Sequence, residues 1–334
     1  MLNINMSREI LEDYDLSMKH LFKKSAGNAK YYYMLQFDKT LDNDLKEISK
    51  LYNSNKDFKI FGMHTNLYIT ENGYNGIFID YSLKYSRIQF DKEKEEFIVL
   101  GNVPTSKLVN YTMNLGYDFA SLTGIPGTVA SGIVGNSSWA VGKDYGEYVK
   151  KITVFDFQDG VEKVINLDKD FFSTRNSFIK QQNLKKTRYF LKSAILRSEY
   201  IGKEAVKEKY LKQINQRLNS LKIAYKEGCA GSIWSNIDLR QKTGKSFREI
   251  INENSEMDIS FNGARYSSYG GRFFTVNEDT TDSDVAQLLE LTIKKMKEIY
   301  NIKPIKEMII LDYDGEIDID TFITRNNKMH LNIC

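Results

Sequence analysis

Short apolar runs separated by turns fill the first half of the chain. Runs rich in β-branched and aromatic residues suit a pleated sheet, and they predict four strands. The predicted strands lie at residues 59–61, 76–80, 97–100 and 151–155. Apolar residues also recur at helical spacing in residues 45–51 and again in 108–115, where Gly116 stands as a C-terminal cap. Strands mixed with short helices predict an α+β fold.

The second half shows longer helical patterns. Residues 181–227 are rich in lysine and carry one apolar stripe, which is typical of a solvated helix with one buried face; a binding role is the alternative. Thr281 with Asp284 resembles a capping box, and a short apolar strand at 307–311 is led by a carboxylate. The stripe of the first helix consists of Leu211, Ile214, Leu218 and Leu221. The apolar face of the second consists of Val285, Leu288, Leu289, Thr292, Met296 and Ile299.

Composition narrows the classes of protein that the chain can belong to. A length of 334 residues predicts two or three domains, and 41% hydrophobic with 27% charged residues excludes disorder, collagen and coiled coil as descriptions of the whole chain. The net charge of +3 is too balanced to indicate a nucleic-acid or membrane-surface partner. Two cysteines and three histidines are too few for a disulfide framework or an all-protein zinc or histidine centre.

Targeting signals are not evident in the sequence. Residues 1–15 contain acidic side chains where a signal peptide needs an apolar core. No segment approaches the roughly 18 consecutive apolar residues that a membrane helix requires. We therefore expect a soluble, cytoplasmic protein.

The first segment that could support chemistry is 124–128 (GIPGT), followed by Ser131 and Gly132. Small residues at this density let backbone N–H groups approach a ligand closely, as phosphate-binding loops do. The segment lacks the Gly-Lys-Ser/Thr of a Walker loop and the Gly-x-Gly-x-x-Gly spacing of a dinucleotide site. On spacing alone, a structural turn is favoured over a phosphate cradle.

Two further positions have a functional and a structural interpretation. Ser232 next to a glycine could be a nucleophile, but no histidine pattern supports a hydrolase triad, so a turn serine is favoured. Glu307 leads an apolar strand, where burial would raise the pKa of its carboxyl, although a solvated strand end is the commoner situation. Cys229 is interpreted as a packed small side chain rather than a reactive thiol.

Six segments, taken in order, resemble motifs of the UDP-N-acetylenolpyruvoylglucosamine reductase family. The likeness runs from about residue 22 to residue 312, and the fixed order of the six is much more specific than any one of them. The six are 22–33 (FKKSAGNAKYYY), 61–68 (FGMHTNLY), 124–129 (GIPGTV) with Asn136, 174–179 (TRNSFI), 230–236 (AGSIWSN) and 300–311 (YNIKPIKEMIIL).

This resemblance implies a domain organisation within the α+β class. A two-lobed FAD-binding domain of the vanillyl-alcohol-oxidase (PCMH) type is expected in residues 1–190, with its lobes split near residue 83. An α+β substrate-binding domain is expected in residues 191–334. The short spacing from Arg175 to Ser232 resembles the second type of the family, which lacks an extra substrate loop.

The resemblance also implies a site. FAD is the expected cofactor, NADPH the co-substrate and a nucleotide sugar the substrate, with no metal, nucleic acid or membrane partner. Arg175 would stabilise a developing enolate, Ser232 would give a proton to carbon, and Glu307 would help only when protonated. Asn236 and Ser177 are the expected substrate contacts. The expected cofactor contacts are Gly62, Met63, His64, Thr65, Asn66, Gly124, Ile125, Pro126, Gly127, Thr128, Ser131, Gly132 and Asn136.

The chain departs from the family pattern at several positions. Met63 and His64 stand where consecutive glycines are usual. His64 either still presents its backbone N–H to the flavin or marks a flavin that is bound differently or lost. Residues 137–147 form a longer segment than the compact turn of the family. On the substrate side, Thr174, Ser235 and Ile237 replace the usual aromatic, lysine and proline, and residues 262–277 lack the family's histidine.

Three hypotheses result. The first is FAD- and NADPH-dependent reduction of the enolpyruvyl ether of UDP-N-acetylglucosamine in peptidoglycan precursor synthesis, carried out by Ser232, Arg175 and Glu307. The second is a divergent flavoenzyme that acts on another unsaturated substrate in capsule or specialised metabolism, which the altered substrate-side residues favour. The third is a non-catalytic nucleotide-sugar or flavin-binding protein, which Met63 and His64 support.

Overall fold

The structure, a computed structural model, divides into two compact units, each built from several segments of the chain. Unit 1 comprises Met1–Glu12, Tyr31–Met63 and Gly76–Leu218. Unit 2 comprises Asp13–Lys30, His64–Asn75 and Asn219–Cys334. The residues that the structure describes are 4–17, 27–138, 142–227, 229–267, 273–277 and 279–327, with the backbone alone described for 218–227, 229–230 and 273–274.

Helices and strands alternate along the chain. The helices are α1 Leu41–Asn53, α2 Thr105–Leu115, α3 Val129–Val134, α4 Phe178–Asn183, α5 Lys203–Glu227, α6 Asn236–Thr243, α7 Phe247–Glu253, α8 Asp282–Tyr300 and α9 Ile319–Asn327. The strands are β1 Leu11–Asp15, β2 Asn28–Leu35, β3 Phe58–Phe61, β4 Leu67–Ile69, β5 Tyr74–Tyr81, β6 Ile88–Asp91, β7 Glu96–Leu100, β8 Val149–Asp156, β9 Val161–Asn166, β10 Phe172–Ser173, β11 Asn176–Ser177, β12 Tyr189–Leu196, β13 Cys229–Ser232, β14 Ser260–Phe261, β15 Ala264–Tyr266, β16 Phe273–Thr275, β17 Ile309–Asp312 and β18 Gly315–Ile317.

An antiparallel sheet in the order β6-β7-β12-β8-β9 forms the larger part of unit 1. Its inward-facing apolar side chains share one core with α2 and α3, to which Leu108, Ile133 and Ile152 belong. The start of α3 is fastened to the end of β7, because Ala130 N–H donates to the Gly101 carbonyl at 2.9 Å. The sheet therefore fixes the position of α3 and of the loop that leads into it.

A second sheet, in the order β1-β2-β5-β3, contains the parallel pair β3 and β5. The apolar face of α1 packs on it, with Leu45 and Ile48 buried against Phe58 and Ile79. Because β3 lies beside β5, the residue after β3 is held next to the end of β5. This arrangement positions Gly62 in the site described below.

Unit 2 contains two small sheets, in the orders β18-β17-β4 and β13-β16-β15-β14. β4 runs parallel to β17, with Tyr68 opposite Ile310. Trp234, which is completely buried, lies in the same core as Leu288 and Met296 of α8. Its indole N–H donates to the Tyr266 hydroxyl at 3.0 Å, so the large side chain after β13 has its polar atom satisfied.

The amino terminus of α8 brings a buried carboxylate into unit 2. Thr281 and Asp284 form a capping box at this end of the helix, as the sequence predicts. Asp282, the first residue of α8, accepts hydrogen bonds from the Tyr68 hydroxyl at 2.6 Å and from Glu71 N–H at 2.8 Å. Burial raises the pKa of the Asp282 carboxyl to about 7, since desolvation disfavours its charged form more than these donors favour it.

The predicted secondary structure is confirmed for most of the named segments. The four predicted strands correspond to β3, β5, β7 and β8. The two short helical patterns correspond to α1 and α2, and Gly116 ends α2 with φ of 90°. The strand predicted at 307–311 begins two residues later, at Ile309, so Glu307 precedes it.

Two positions of the predicted apolar stripes are wrong. Leu211 of α5 is 47% exposed and Ile299 of α8 is 40% exposed. Among the described side chains of α5, the buried ones are instead Val206 and Arg217, whose guanidinium donates to the Ser121 carbonyl at 3.4 Å. The buried face of α5 therefore differs from the leucine stripe. The side chains of Leu218 and Leu221 lie outside the described set.

The fold has the mixed α and β content that the sequence predicts. The functional domains expected at 1–190 and 191–334 remain predictions, because the two compact units divide the chain along different lines. Across the described residues, no helix is both long enough and apolar enough to cross a membrane.

The raised pKa of Asp282 predicts a pH dependence of stability. An unfolded Asp titrates near pH 4, so between about pH 4 and pH 7 the folded chain holds a proton that the unfolded chain has released. The free energy of unfolding should therefore fall as pH rises through this window and level off above it. The expected fall in unfolding free energy is at most about 4 kcal/mol, because the pKa differs by about three units between the folded and unfolded chain and each unit corresponds to about 1.4 kcal/mol. The substitution Asp282→Asn should abolish this fall.

Urea unfolding of wild type and variant at several pH values measures this difference. Asp279→Asn is the matched control, since Asp279 is exposed in the segment just before the same helix. Its stability should follow that of the wild type across the range. Parallel curves for the wild type and Asp282→Asn would contradict the prediction.

Candidate functional site

The loop at residues 124–128 in unit 1 contains backbone donors that no described residue accepts from. Gly124 and Gly127 have φ of 75° and 102°, in the left-handed region that favours glycine. Over the described ranges, their N–H groups donate no hydrogen bond. Pro126 between them is exposed and Ile125 is buried in the core. Uncommitted amide donors in a glycine loop suit a phosphate-bearing group.

A capping box follows this loop at the start of α3. The Thr128 hydroxyl accepts a hydrogen bond from Ser131 N–H, and the Ser131 hydroxyl accepts one from Thr128 N–H at 2.9 Å. These polar groups are therefore engaged in starting the helix, although Ser131 itself is exposed. Gly132 is required by packing, because a Cβ atom there would collide with the Tyr145 ring.

The same threonine links this loop to the segment after β3. Its hydroxyl hydrogen-bonds to the buried Tyr81 hydroxyl. A Cβ atom on Gly62 would lie 2.5 Å from that Tyr81 oxygen and 3.5 Å from Thr128 Oγ1. Glycine at position 62 thus lets the two predicted cofactor loops of unit 1 approach each other. Burial raises the pKa of Tyr81 to about 12, so its hydroxyl keeps its proton.

Met63 and His64 come next along the chain. Met63 is 37% exposed. His64 has φ of 52°, so the residue that replaces a family glycine keeps a backbone conformation that glycine favours. This conformation costs a non-glycine residue roughly 1 kcal/mol or more. Its retention favours the interpretation in which the backbone of His64 still serves the loop.

Arg175 lies at the tip of a two-residue hairpin turn in unit 1. Ser173 pairs with Asn176, so Thr174 and Arg175 form the turn. Arg175 is partly buried and has φ of 56°. Arg175 therefore has a backbone conformation that glycine and asparagine adopt more readily than arginine does.

Asn136 and Ser177 fasten this hairpin to α3. Asn136 Nδ2 donates to the Ser173 carbonyl at 2.9 Å, and its Oδ1 accepts from Gly146 N–H at 2.9 Å. The Ser177 hydroxyl donates to the Val134 carbonyl at 2.7 Å and caps α4. Ser177 is buried, and both of its side-chain interactions are with the protein backbone.

In unit 2, Gly231 packs directly against the segment that carries Thr65 and Asn66. Gly231 has φ of 86°, and a Cβ atom there would lie 2.7 Å from the Thr65 carbonyl oxygen and 2.9 Å from Asn66 Oδ1. Asn66 Nδ2 donates to the Glu307 carbonyl at 3.3 Å, whereas its buried Oδ1 accepts no hydrogen bond from the described residues. A buried acceptor without a donor is costly, so this oxygen suits a ligand that supplies one.

Ser232 and Glu307 are brought together by the backbone of unit 2. Glu307 N–H donates to the Ile233 carbonyl at 2.8 Å, and Trp234 pairs with Lys306 in an antiparallel bridge. Ser232 therefore lies one residue from the backbone partner of Glu307. Both residues are partly buried. The arrangement places a hydroxyl-bearing and a carboxyl-bearing residue on neighbouring segments.

Asn236 opens α6 and is held by the next helix. Its Oδ1 accepts a hydrogen bond from Phe247 N–H at 2.9 Å. The preceding residue, Ser235, is buried and caps α6 by accepting from Asp238 N–H at 3.4 Å. A serine in place of the family's lysine therefore has a structural function here as a helix cap.

The structure assigns the predicted residues to two groups. Unit 2 brings together Thr65, Asn66, Ser232 and Glu307, with Asn236 nearby in sequence. Unit 1 holds the remaining predicted residues apart from His64, which belongs to unit 2. The sequence does not indicate a function for the Tyr81 hydroxyl, because its partner Thr128 lies 47 residues away and leaves no local pattern. Gly231 could have been recognised, since it is the glycine directly before the motif serine.

Parts of three predicted segments lie outside the described residues. They are residues 22–26, 139–141 and 268–272, together with residue 278 and the side chain of Cys229. Within the described ranges, no group of three or more His, Cys, Asp or Glu side chains could hold a metal ion.

Comparison with known proteins gives one consistent result. No family model matches the chain. A UDP-N-acetylenolpyruvoylglucosamine reductase from Rickettsia conorii (strain ATCC VR-613 / Malish 7) is 27% identical over 303 residues, covering 88% of this chain and 93% of that protein. Proteins of the same name from Thermotoga sp. (strain RQ2) and Bacillus pumilus (strain SAFR-032) are 26% and 24% identical and cover 85% and 91% of the chain. Each of these relatives is a UDP-N-acetylenolpyruvoylglucosamine reductase, and the chain is similar to them over most of its length.

A solved structure agrees with this family at the level of the fold. The crystal structure of UDP-N-acetylenolpyruvylglucosamine reductase (MurB) from Thermus caldophilus matches with a TM-score of 0.66 at 18% sequence identity. The match covers 92% of this chain and 99% of that one. The reductase fold therefore extends over nearly the whole chain.

The close contact at Gly231 predicts that a methyl group there will destabilise the protein. Gly231→Ala must take a left-handed conformation and also displace the backbone of Thr65. Gly244→Ala is the matched control, because Gly244 has φ of 74° but no atom within 4 Å of a Cβ position. We expect the control to lose roughly 1–2 kcal/mol of unfolding free energy, and Gly231→Ala to lose at least about 1 kcal/mol more.

Urea unfolding of the two variants measures both losses. Equal losses would mean that the Thr65–Asn66 segment does not constrain Gly231.

Proposed function

We propose that this protein reduces the enolpyruvyl ether of UDP-N-acetylglucosamine to UDP-N-acetylmuramate in peptidoglycan precursor synthesis. NADPH is the proposed reductant and FAD the proposed cofactor. The observation that carries the proposal is the pairing of Glu307 N–H with the Ile233 carbonyl, which brings the segment of Ser232 alongside the segment of Glu307. The names and coverage of the relatives support the same reaction.

The residues present fit a flavin dinucleotide. Among the described residues, the N–H groups of Gly124 and Gly127 donate no hydrogen bond, so they would serve as donors for its phosphates. Held there, FAD would supply the hydride-transfer chemistry that links NADPH to the terminal CH₂ carbon of the substrate. The proposed FAD-binding region is of the vanillyl-alcohol-oxidase (PCMH) type.

Arg175 is proposed to bind the substrate carboxylate. As hydride reaches the terminal carbon, negative charge develops at the neighbouring carbon and spreads into this carboxylate. A guanidinium stays charged at any working pH and can hold a carboxylate through two parallel hydrogen bonds. Because the charge is larger in the transition state than in the substrate, Arg175 lowers the barrier as well as binding the substrate.

Ser232 is proposed as the proton donor. Its hydroxyl gives a proton to the carbon next to the carboxylate, which completes addition of two hydrogens across the double bond. A serine is a weak acid, but the carbanionic carbon is a far stronger base. The backbone constraint at Gly231 fixes the approach of the hydroxyl, because the residue before Ser232 packs against the Thr65 carbonyl.

Glu307 is proposed to act on the same developing charge in its protonated state. A neutral carboxyl can donate a hydrogen bond to the enolate, whereas a carboxylate would repel it. Asn236 and Ser177 remain proposed substrate contacts. The engaged hydroxyl of Ser177 supports a role in holding the hairpin more than direct contact with substrate.

The two other hypotheses have less support. The relatives named above carry one common name, which favours the cell-wall substrate over a different unsaturated compound. Retention of a left-handed backbone at His64 favours a loop that still binds flavin over one that has lost it.

The reaction is tested by incubating the purified protein with FAD, NADPH and the enolpyruvyl nucleotide under anaerobic conditions. We expect NADPH to be consumed in a one-to-one ratio with substrate, and the product to have gained two hydrogen atoms by mass spectrometry. Consumption of NADPH without a change in the nucleotide would contradict the proposed function.

Ser232→Ala tests the proton donor. We expect the substrate-dependent step, followed as the return of flavin absorbance after reduction, to slow by roughly 10²–10⁴-fold. The NADPH-dependent step should be unchanged, since no proton from Ser232 takes part in it. Stopped-flow absorbance separates the two steps.

Ser235→Ala is the matched control, three residues along the same motif. It removes a helix cap and should cost about 1 kcal/mol of stability while leaving the substrate-dependent step intact. Equal rates in wild type and Ser232→Ala would show that another group donates the proton.

A further inference from the structure

We propose that Lys180 is a positioning residue for Arg175. This inference rests on the proposed function of Arg175 in binding the substrate carboxylate. Lys180 is on α4, five residues after Arg175, and its Nζ donates to the Arg175 carbonyl at 3.1 Å. A lysine outside the predicted site thus contacts the backbone of a proposed catalytic residue.

The backbone of Arg175 needs such support. Ser173 pairs with Asn176 across β10 and β11, which leaves Thr174 and Arg175 as the turn. The φ of 56° at Arg175 is one that glycine or asparagine adopts more readily. A non-glycine residue keeps this backbone conformation only when surrounding contacts enforce it. Such residues are concentrated at functional sites.

Two of the described contacts hold the strands of the hairpin rather than its turn. Asn136 Nδ2 donates to the Ser173 carbonyl on the first strand at 2.9 Å. The Ser177 hydroxyl donates to the Val134 carbonyl from the second strand at 2.7 Å. The bond from Lys180 Nζ is the one among these that reaches Arg175 itself.

α4 aims Lys180 back toward the turn. Ser177 caps this helix, and the cap includes a hydrogen bond from Lys180 N–H to the Ser177 hydroxyl at 3.2 Å. The backbone N–H of Lys180 therefore bonds to Ser177 on the second strand of the hairpin, and its side-chain Nζ bonds to Arg175 in the turn. Ile179 beside it is completely buried in the core of unit 1, which fixes the helix.

The charge of Lys180 gives the contact a second consequence. A charge-assisted hydrogen bond to a carbonyl is stronger than a neutral one, so it holds the turn more firmly. With the Arg175 backbone held, the guanidinium has fewer conformations to lose when it binds a carboxylate. A misplacement of about 1 Å in such a group can cost about 10²-fold in rate.

The first test does not depend on activity. Amide hydrogen exchange is measured by mass spectrometry on the protein without cofactor, for Lys180→Met, Lys180→Arg and Lys185→Met. Met keeps the length of the lysine side chain without a donor, and Arg restores a charged donor. Lys185 is exposed in the same segment and is the matched control.

We expect the peptide that spans residues 171–178 to exchange roughly 10-fold faster in Lys180→Met than in wild type. Lys180→Arg and Lys185→Met should exchange at close to the wild-type rate. Equal exchange of this peptide in Lys180→Met and Lys185→Met would overturn the proposal.

The second test asks whether Lys180 acts through Arg175. In Lys180→Met we expect the substrate-dependent step to slow by roughly 10–100-fold, with the NADPH-dependent step unchanged and partial recovery in Lys180→Arg. In an Arg175→Met background, the further change Lys180→Met should slow the step by less than about 2-fold, because its target is already gone. Independent, multiplying losses would overturn the proposal.

The two tests separate this inference from the proposed function. If the wild-type protein does not act on the enolpyruvyl nucleotide, the proposed function fails, and hydrogen exchange still decides whether Lys180 holds the turn. If the wild type is active and Lys180→Met matches Lys185→Met in both tests, the function stands and the inference about Lys180 fails.

Discussion

The hydrogen bond from Glu307 N–H to the Ile233 carbonyl holds together the part of unit 2 that carries the proposed proton donor and carboxyl group. It aligns residues 233–235 with residues 305–307, and the Trp234–Lys306 bridge continues the pairing. Thr65 and Asn66 then fit against Gly231 because that residue has no side chain. Three segments distant in sequence thus meet through backbone contacts, with the buried Trp234 as their anchor in the core.

Unit 1 depends on left-handed backbone conformations that residues other than glycine rarely adopt. Gly124 and Gly127 supply them at no steric cost, whereas His64 at the edge of unit 2 and Arg175 adopt them as non-glycine residues. Hydrogen bonds around the Arg175 hairpin make its conformation stable, and the Tyr81–Thr128 bond fixes the glycine loop beside Gly62. Backbone strain of this kind is concentrated at functional sites in proteins generally.

Much of the fold could be predicted from local sequence. Strand runs such as 97–100 and the Thr281–Asp284 capping box carry their own signal, because period and capping chemistry act over a few residues. Leu211 and Ile299 were placed incorrectly, since periodicity identifies a stripe but not which part of it tertiary packing covers. The late start of β17 at Ile309 follows from its pairing with β4, which no local pattern encodes.

The candidate site could be predicted only as a set of motifs. Their order along the chain identified Ser232, Arg175 and Glu307, while the contacts that position them join residues far apart in sequence. Asn66 and Glu307 are linked across 241 residues, and Tyr81 and Thr128 across 47. The Lys180 contact spans only five residues, but it depends on the turn geometry at Arg175, which sequence spacing does not reveal.

The proposed function requires that the protein binds flavin and reduces it with NADPH despite Met63 and His64 in the glycine loop. The visible absorption spectrum of the purified protein, supplied with FAD and then with NADPH in the absence of oxygen, tests it most directly. The account predicts a spectrum of protein-bound oxidised flavin that bleaches when NADPH is added. A protein that takes up no FAD, or a bound flavin that NADPH leaves unchanged, would contradict it.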